Sequence, residues 1–235
     1  MDADAFEAGQ RAREYFHSLT VLPGAWTVLR LDGRGFSRLT EQHFTKPFDE
    51  RFAGHMTVTA QTLLTELGAR YAYTASDEIS LLFDPRFDLF GRGVEKLVSI
   101  SAGIASATFT QAAGVAGHFD SRVWLGTAAG DVADYFSWRQ GDVARSALNG
   151  WCYWTLRNGG ASRSEASRAI DGASTAEKNE LLFRHGINFN EVPAWQRRGV
   201  GLWWIDALTK RRRICVEREL PMKNAYRELV FQLIG

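Results

Sequence analysis

The sequence predicts an α/β chain of the α+β kind: one antiparallel sheet with helices behind it, then a mostly helical part carrying a β-hairpin. Three observations predict it. Apolar periodicity over the first 130 residues changes from strand to helix in the order strand, helix, strand, strand, helix, strand. Tight-turn residues separate the two central strands, at Ala75-Ser76-Asp77-Glu78. Beyond residue 130 the period is helical, apart from one late strand–turn–strand pattern.

Taken in order, residues 5–18 read as a short helix. Ala25–Leu31 (Ala25-Trp26-Thr27-Val28-Leu29-Arg30-Leu31) is rich in strand formers and ends at Asp32. Gly33 and Gly35 then interrupt regular structure, and glycine lets backbone approach a ligand closely. After Lys46-Pro47, the apolar positions Phe48, Phe52, Met56, Leu63 and Leu67 are spaced for a helix over 48–67, closed by Gly68. Arg70–Thr74 and Ile79–Phe83 form the central hairpin, 92–112 a second helix, and Phe119–Leu125 a fourth strand.

Asp131 or Asp134 can cap a long helix reaching about Arg157. Ser162–Glu165 and Ser174–Glu177 are both capping boxes, so two shorter helices start there. Val200–Leu208 and Arg212–Glu219 alternate as a hairpin, and Lys223–Ile234 is an amphipathic terminal helix. The expected organisation is a unit over 1–130 and a helical and hairpin extension over 131–235.

The order βαββαβ is the ferredoxin-like arrangement. Right-handed crossovers place the first strand beside the central hairpin in one sheet, so Asp32 and Asp77 meet at one sheet edge with helices behind. This is the layout of a polymerase palm. Carboxylates gathered there hold Mg²⁺ against a nucleoside triphosphate. Two Mg²⁺ ions on Asp32 and Asp77, with the Gly33 carbonyl completing one shell, would bind triphosphate, activate a hydroxyl and stabilise the leaving oxygen. Glu78 would complete the ionic environment. The backbone of Gly33-Arg34-Gly35 can cradle phosphate, and Lys46 and Lys178 are candidate phosphate contacts. The reaction expected is metal-dependent nucleotidyl transfer, with a palm-type nucleotide cyclase and an inert RNA-binding module as alternatives.

Composition narrows the rest. The chain has 235 residues and is 45% hydrophobic, enough for a substantial core. Net charge is +1, so any nucleic-acid grip is local rather than diffuse. Basic residues cluster late, at Arg197-Arg198 and at Lys210, Arg211, Arg212 and Arg213. Cys152 and Cys215 match no metal-ligand spacing and read as free thiols in a reducing compartment. The histidines form no zinc pattern, and no P-loop or nucleophile elbow is present. No apolar run approaches the roughly 18 residues of a membrane span, and the N-terminus is unlike a signal peptide. The expected location is the cytoplasm, with no membrane partner.

Several ordered segments then resemble one family. Leu31–Phe36 is similar to a DGRxF segment and Lys46-Pro47 to the KP that follows it. Ser76-Asp77-Glu78 matches SDE, Phe119–Arg122 resembles FDGR, and Ser137–Asp142 resembles SWRQxD. Lys178-Asn179-Glu180, followed by Leu181-Leu182-Phe183 and Gly186-Ile187-Asn188, resembles KNE-xLF-GIN. These mark the tRNA-His guanylyltransferase superfamily, including its Thg1-like 3′–5′ RNA polymerase branch. The resemblance implies that Asp32 and Asp77 ligate both metals. It implies that Asp32, Gly33, Arg34, Gly35, Phe36, Ser37, Lys46, Ser76 and Asp77 line the nucleotide, and that Asp32, Asp77 and Glu78 are catalytic. Arg122, Arg139, Lys178, Asn179 and the Lys210–Arg213 cluster become candidate RNA contacts. It further implies GTP and ATP as substrates, tRNA as partner and a homotetramer. In that chemistry the 3′-hydroxyl of the incoming nucleotide attacks an activated tRNA 5′ end. The HINN element that follows SWRQxD in the eukaryotic enzymes of the family falls here on Ala144-Arg145-Ser146-Ala147. That departure favours template-directed repair of tRNA 5′ ends over a dedicated tRNA-His enzyme adding one G.

Overall fold

The computed structural model describes residues 3–205 and 213–235. A helix α1 (Ala3–Arg11) precedes β1 (Trp26–Gly33), α2 (Phe36–His43), α3 (Glu50–Glu66), the hairpin β2 (Tyr71–Ala75) and β3 (Glu78–Phe83), α4 (Val94–Ala113) and β4 (Phe119–Gly126). Then follow α5 (Ala129–Asn158), α6 (Arg163–Ile170), α7 (Thr175–Arg184), α8 (Ala194–Arg198), β5 (Val200–Ile205), β6 (Arg213–Glu217) and α9 (Asn224–Ile234). The strands form one antiparallel sheet in the order β4-β1-β3-β2-β5-β6. Its first four strands are the expected βαββαβ unit, and the late hairpin lengthens it past β2.

Alternation along the strands sorts side chains to two faces. Leu29 and Leu31 of β1, Ile79, Leu81 and Phe83 of β3, and Ala72 of β2 pack under α3 and α4 with Phe36, Leu63, Leu64 and Phe109. Val28, Leu82, Tyr71 and Tyr73 face the other way and meet Phe136 of α5 and Tyr226 and Val230 of α9. The sheet therefore lies between two helical layers. The Tyr71 and Tyr226 hydroxyls are 3.0 Å apart, which satisfies two polar atoms inside that second layer.

The local signals set most boundaries. Asp49 caps α3, its carboxylate accepting from the Arg51 and Phe52 N–H groups, and Gly68 follows the helix at φ +65°. Both capping boxes form, with Ser162 and Ser174 accepting from Glu165 N–H and Glu177 N–H. Asp131 does not cap α5 from in front. It reaches back from the first turn, accepting from the N–H groups of Thr127 (2.8 Å) and Ala128 (2.9 Å).

Two expectations are corrected. The first helix stops at Arg11 rather than 18, buries nothing, and is followed by Phe16 at φ +64°. The additional helix α2 fills what reads as a glycine-rich break. Gly35, at φ +75°, turns the chain into it, and Phe36 and Thr40 anchor its buried side. The expected hairpin tip, with Lys210, Arg211 and Arg212, lies outside the described residues.

Candidate active site

On the face beneath α5, successive rungs of the sheet change character towards one end. Val28, Leu82 and Trp124 form an apolar rung across β1, β3 and β4. The next is Arg30, Ser80 and Arg122. The last is Asp32, Glu78 and Asp120. Period two alone carries β1 from core to carboxylate in four residues. The turn of the β2–β3 hairpin adds Ser76 and Asp77 beside this last rung. The Gly33 N–H donates to the Asp77 carbonyl at 3.0 Å, tying the end of β1 to the turn. Ser76 holds φ +52° and its hydroxyl donates to the Asp77 carboxylate at 3.0 Å.

Asp32 and Asp77 are thus brought together, as expected. Burial pushes the Asp77 carboxyl above its ordinary range, and the nearby charges of Asp32 and Glu78 add to the shift. Two anions that repel across a half-buried site favour a cation. Arg122 lies only within a loose 3.8 Å of Asp32 and donates instead to Asp120 at 2.9 Å. Among the described residues no three His, Cys, Asp or Glu side chains form a closed metal cage. Mg²⁺ takes one or two carboxylates and completes its octahedron with water and substrate phosphate. Asp32, Asp77 and the Gly33 carbonyl are hard oxygen donors of the required kind.

Glu78 behaves differently from the two aspartates. Arg139 donates from Nε to Oε1 at 2.7 Å and from Nη2 to Oε2 at 2.8 Å, and Arg30 donates to Oε2 at 2.7 Å. Both carboxylate oxygens are therefore taken, which assigns Glu78 to holding the hairpin against β1 and α5. Arg139, expected at RNA phosphate, is corrected by the same contacts. Its side chain is only 6% exposed and also binds Asp142 at 3.0 Å.

Two cavities open beside the carboxylates, of about 350 and 310 Å³. Both are bordered by Thr40, Lys46, Ser76, Asp77 and Trp154. The larger runs past Phe44, Thr45 and Asp49 to Ser146, Ala147 and Trp195. The smaller is bordered by Ser37, Glu41 and Arg163, and Arg163 pairs with Glu41 at 2.6 Å, joining α6 to α2. Lys46 donates to the Thr40 hydroxyl and stands 5.7 Å from the Trp154 ring centre. Burial lowers its ammonium pKa, while Asp77 and Glu41 oppose the shift.

The other expected residues are spread further. Arg34, Gly35 and Ser37 are exposed just beyond β1. Phe36 is 1% exposed, its ring packed on Phe109 and Phe119. Gly33 has a packing reason beside any phosphate role, since a Cβ there would sit 2.5–2.9 Å from Phe36 ring carbons. Lys178 and Asn179 lie on α7, where Asn179 donates to Thr175 O at 2.8 Å, and neither borders a cavity. Arg213 is exposed on β6. The sequence reading missed Arg30, Asp120 and Asp142. Arg30 and Asp120 had a signal, for strand alternation puts them on the faces of Asp32 and Arg122.

A palm sheet whose rim brings two aspartates together, beside cavities large enough for a nucleotide, fits a palm-type nucleotidyltransferase. The comparisons with known proteins agree. Residues 9–126 match the family model described as tRNAHis guanylyltransferase, and 130–229 match the Thg1 C terminal domain. The chain is 36% identical to the probable tRNA(His) guanylyltransferase of Mus musculus over 198 residues, 79% of this chain and 66% of that protein. It is 33% identical to the tRNA(His) guanylyltransferase of Neurospora crassa over 195 residues, 77% of this chain and 67% of that one. It therefore spans about two thirds of these relatives. A bacterial tRNA(HIS) guanylyltransferase (Thg1)-like protein in complex with ATP superposes with TM-score 0.78 at 26% identity, covering 100% of this chain and 99% of that one. The same description in complex with GTP gives TM-score 0.78 at 25% identity, covering 98% and 99%. The chain belongs to the tRNA(His) guanylyltransferase (Thg1) family.

Proposed function

We propose that this chain adds nucleotides to the 5′ end of tRNA, using GTP and ATP as substrates. The observation that carries this reading is the convergence of Asp32 and Asp77 at the rim of a palm sheet, with Arg122 standing off Asp32 by 3.8 Å and Lys46 on the wall near Asp77, beside cavities of nucleotide size. Asp32, Asp77 and the Gly33 carbonyl would hold two Mg²⁺, which would supply the charge that in-line phosphoryl transfer needs. The chain's own residues hold the geometry. Ser76 fixes the Asp77 carboxylate, Glu78 locks the hairpin to Arg30 and Arg139, and Lys46 places an ammonium on the cavity wall. Arg122 can leave Asp120 for a phosphate, because both side chains are largely solvated.

The names of the relatives support a dedicated tRNA(His) guanylyltransferase adding a single G better than they support template-directed repair. The second reading, template-dependent 3′–5′ addition to truncated tRNA, is kept for one observation: Ala144-Arg145-Ser146-Ala147 stands where the eukaryotic enzymes have HINN. Residues 131–235 are proposed to carry tRNA and oligomer contacts, with Lys178, Asn179 and the Lys210–Arg213 cluster on RNA phosphate. A homotetramer and a cytoplasmic location belong to the same proposal. The exposed aromatic and aliphatic run Tyr15, Phe16, Leu19 and Leu22 supports assembly.

The test offers full-length tRNA-His lacking its extra G and a 5′-truncated tRNA, each with mono- and triphosphate ends, and counts added nucleotides. A single G on tRNA-His alone supports the dedicated enzyme. Filling of the truncated end to its template supports repair. Asp32→Ala and Asp77→Ala should each lower Mg²⁺-dependent addition by at least about 10³-fold while circular dichroism stays native. Activity within tenfold of wild type in either variant refutes the metal assignment.

A further inference from the structure

Trp138 is a large aromatic left 53% exposed on α5, one residue before the buried Arg139. Its ring is held from below. The Arg139 guanidinium carbon lies 4.5 Å from the ring centre, and the Tyr135 ring meets it edge-on at 5.9 Å. Both supports are themselves fixed to the sheet. Arg139 grips Glu78, the register partner of Asp32. Tyr135 shares a hydrogen bond with Ser80 at 2.9 Å and packs on Trp124 at 4.8 Å. Trp124 stands two residues along β4 from Arg122, on the same face. Trp138 is therefore stationed beside the arginine and carboxylate rungs. It nevertheless borders neither of the two nucleotide-sized cavities, although Arg139 and Asp142 do border the larger.

A flat ring that is rigid underneath, open above and flanked by a guanidinium is what a base stacks on. Because it lies outside both cavities, a second base can stack there while the incoming nucleotide occupies a cavity. We propose that the exposed face of Trp138 is the stacking platform for the terminal base of the RNA end that receives the nucleotide. This rests on reading the site as one that modifies a tRNA end. The platform sets the position of the accepting phosphate by fixing the base attached to it, and Arg122, two residues along β4 from Trp124 and largely solvated, can leave Asp120 to meet that phosphate.

The test measures affinity of the full chain for tRNA, without nucleotide or Mg²⁺, for Trp138→Ala, Trp138→Leu and Trp138→Phe. Each is offered tRNA with its 5′-terminal base intact or replaced by an abasic residue. The Ala and Leu variants should bind intact tRNA about 5- to 150-fold more weakly, the range of one base–aromatic stack, and the Phe variant should recover most of the loss. Removing the terminal base should weaken the wild type and leave the Ala variant unchanged, and KM for GTP should not move. A Leu variant that binds like wild type would mean the ring merely covers Arg139, which overturns the proposal. So would a loss independent of the terminal base, a shift confined to KM for GTP, or a changed sedimentation coefficient, which would make Trp138 a contact between copies. A wild type that binds tRNA yet adds nothing removes the proposed reaction and not the platform. Equal tRNA affinities across the variants remove the platform and not the reaction.

Discussion

Three carboxylates, Asp32, Asp77 and Glu78, gather at one end of the sheet, and their partners divide their labour. Asp77 accepts from the Ser76 hydroxyl and Asp32 faces Arg122 at 3.8 Å, whereas both oxygens of Glu78 are bound by Arg139 and Arg30. The Glu78–Arg139 contact is largely dry, with side chains 13% and 6% exposed. Breaking such a pair costs more than forming it yields where the survivor keeps a buried, unmatched charge. Arg30 stays on Glu78 when Arg139 is removed, so Arg139→Met should destabilise the fold by less than the roughly 3–5 kcal/mol of a fully orphaned charge, measured in denaturant titrations. Arg139→Lys should recover only part of this, because an ammonium cannot repeat the two parallel hydrogen bonds of the guanidinium. Glu78→Gln should destabilise the fold more than Arg139→Met, because it removes the carboxylate that Arg30 and Arg139 share. A Glu78→Gln variant that unfolds with the wild type would show that this carboxylate does not hold the two arginines.

At the scale of elements, β1 and the hairpin were readable because their chemistry is local. Strand formers end at Asp32, turn residues follow at Ser76 and Asp77, and period two fixes which residues share a face. The same alternation explains why Arg30 belongs to the site, although an arginine inside an apolar strand does not announce that it will share Glu78 with a second arginine. That second arginine, Arg139, comes from a helix more than a hundred residues later, and nothing local to it specifies that it will cross over Glu78. The helix α2 was hidden by its flanking glycines, since its stability comes from burying Phe36 and Thr40 rather than from propensity. The start of α3 was legible through its apolar spacing and gains a testable pH dependence from Asp49. The Arg51 guanidinium holds the Asp49 carboxyl well below the usual carboxylate range. The N–H groups of Thr45, Arg51 and Phe52 reinforce this against the cost of burial. A depressed folded pKa means that the charged form stabilises the fold above the unfolded value of about 4. That stabilisation drains away as pH falls through the folded value. Asp49→Asn keeps a capping group but loses the charge. Its urea midpoint should be lower than wild type at pH 7 and converge with it as the pH drops below about 4. Parallel midpoint curves would show that the charge of Asp49 does not couple to folding.

Across the whole molecule, the sheet ignores the division between the two family segments. β5 and β6 come from the second segment, yet β5 pairs with β2 from Tyr71↔Trp203 to Thr74↔Val200. The second face of the sheet is covered by α5 and α9, which bury Val28, Tyr71, Tyr73 and Leu82 of the first segment. The ties continue to the chain end, where Arg70 donates to the carbonyls of Leu233 and Gly235, and Gln140 donates to Pro221 O at 2.9 Å. A chain cut at residue 130 would expose that whole apolar face and leave β2 as an open edge, a template for association with other strands. The full chain should therefore unfold in one cooperative step. Far-ultraviolet circular dichroism and tryptophan fluorescence should give coincident urea transitions, although the tryptophans are spread from Trp26 to Trp204. A fragment of residues 1–130 should aggregate or lack near-ultraviolet ellipticity, since the layer that orders its tyrosines is gone. Two separated transitions in the full chain, or a soluble fragment with native ellipticity, would mean that the palm holds itself together and that the helical layer is merely docked on it.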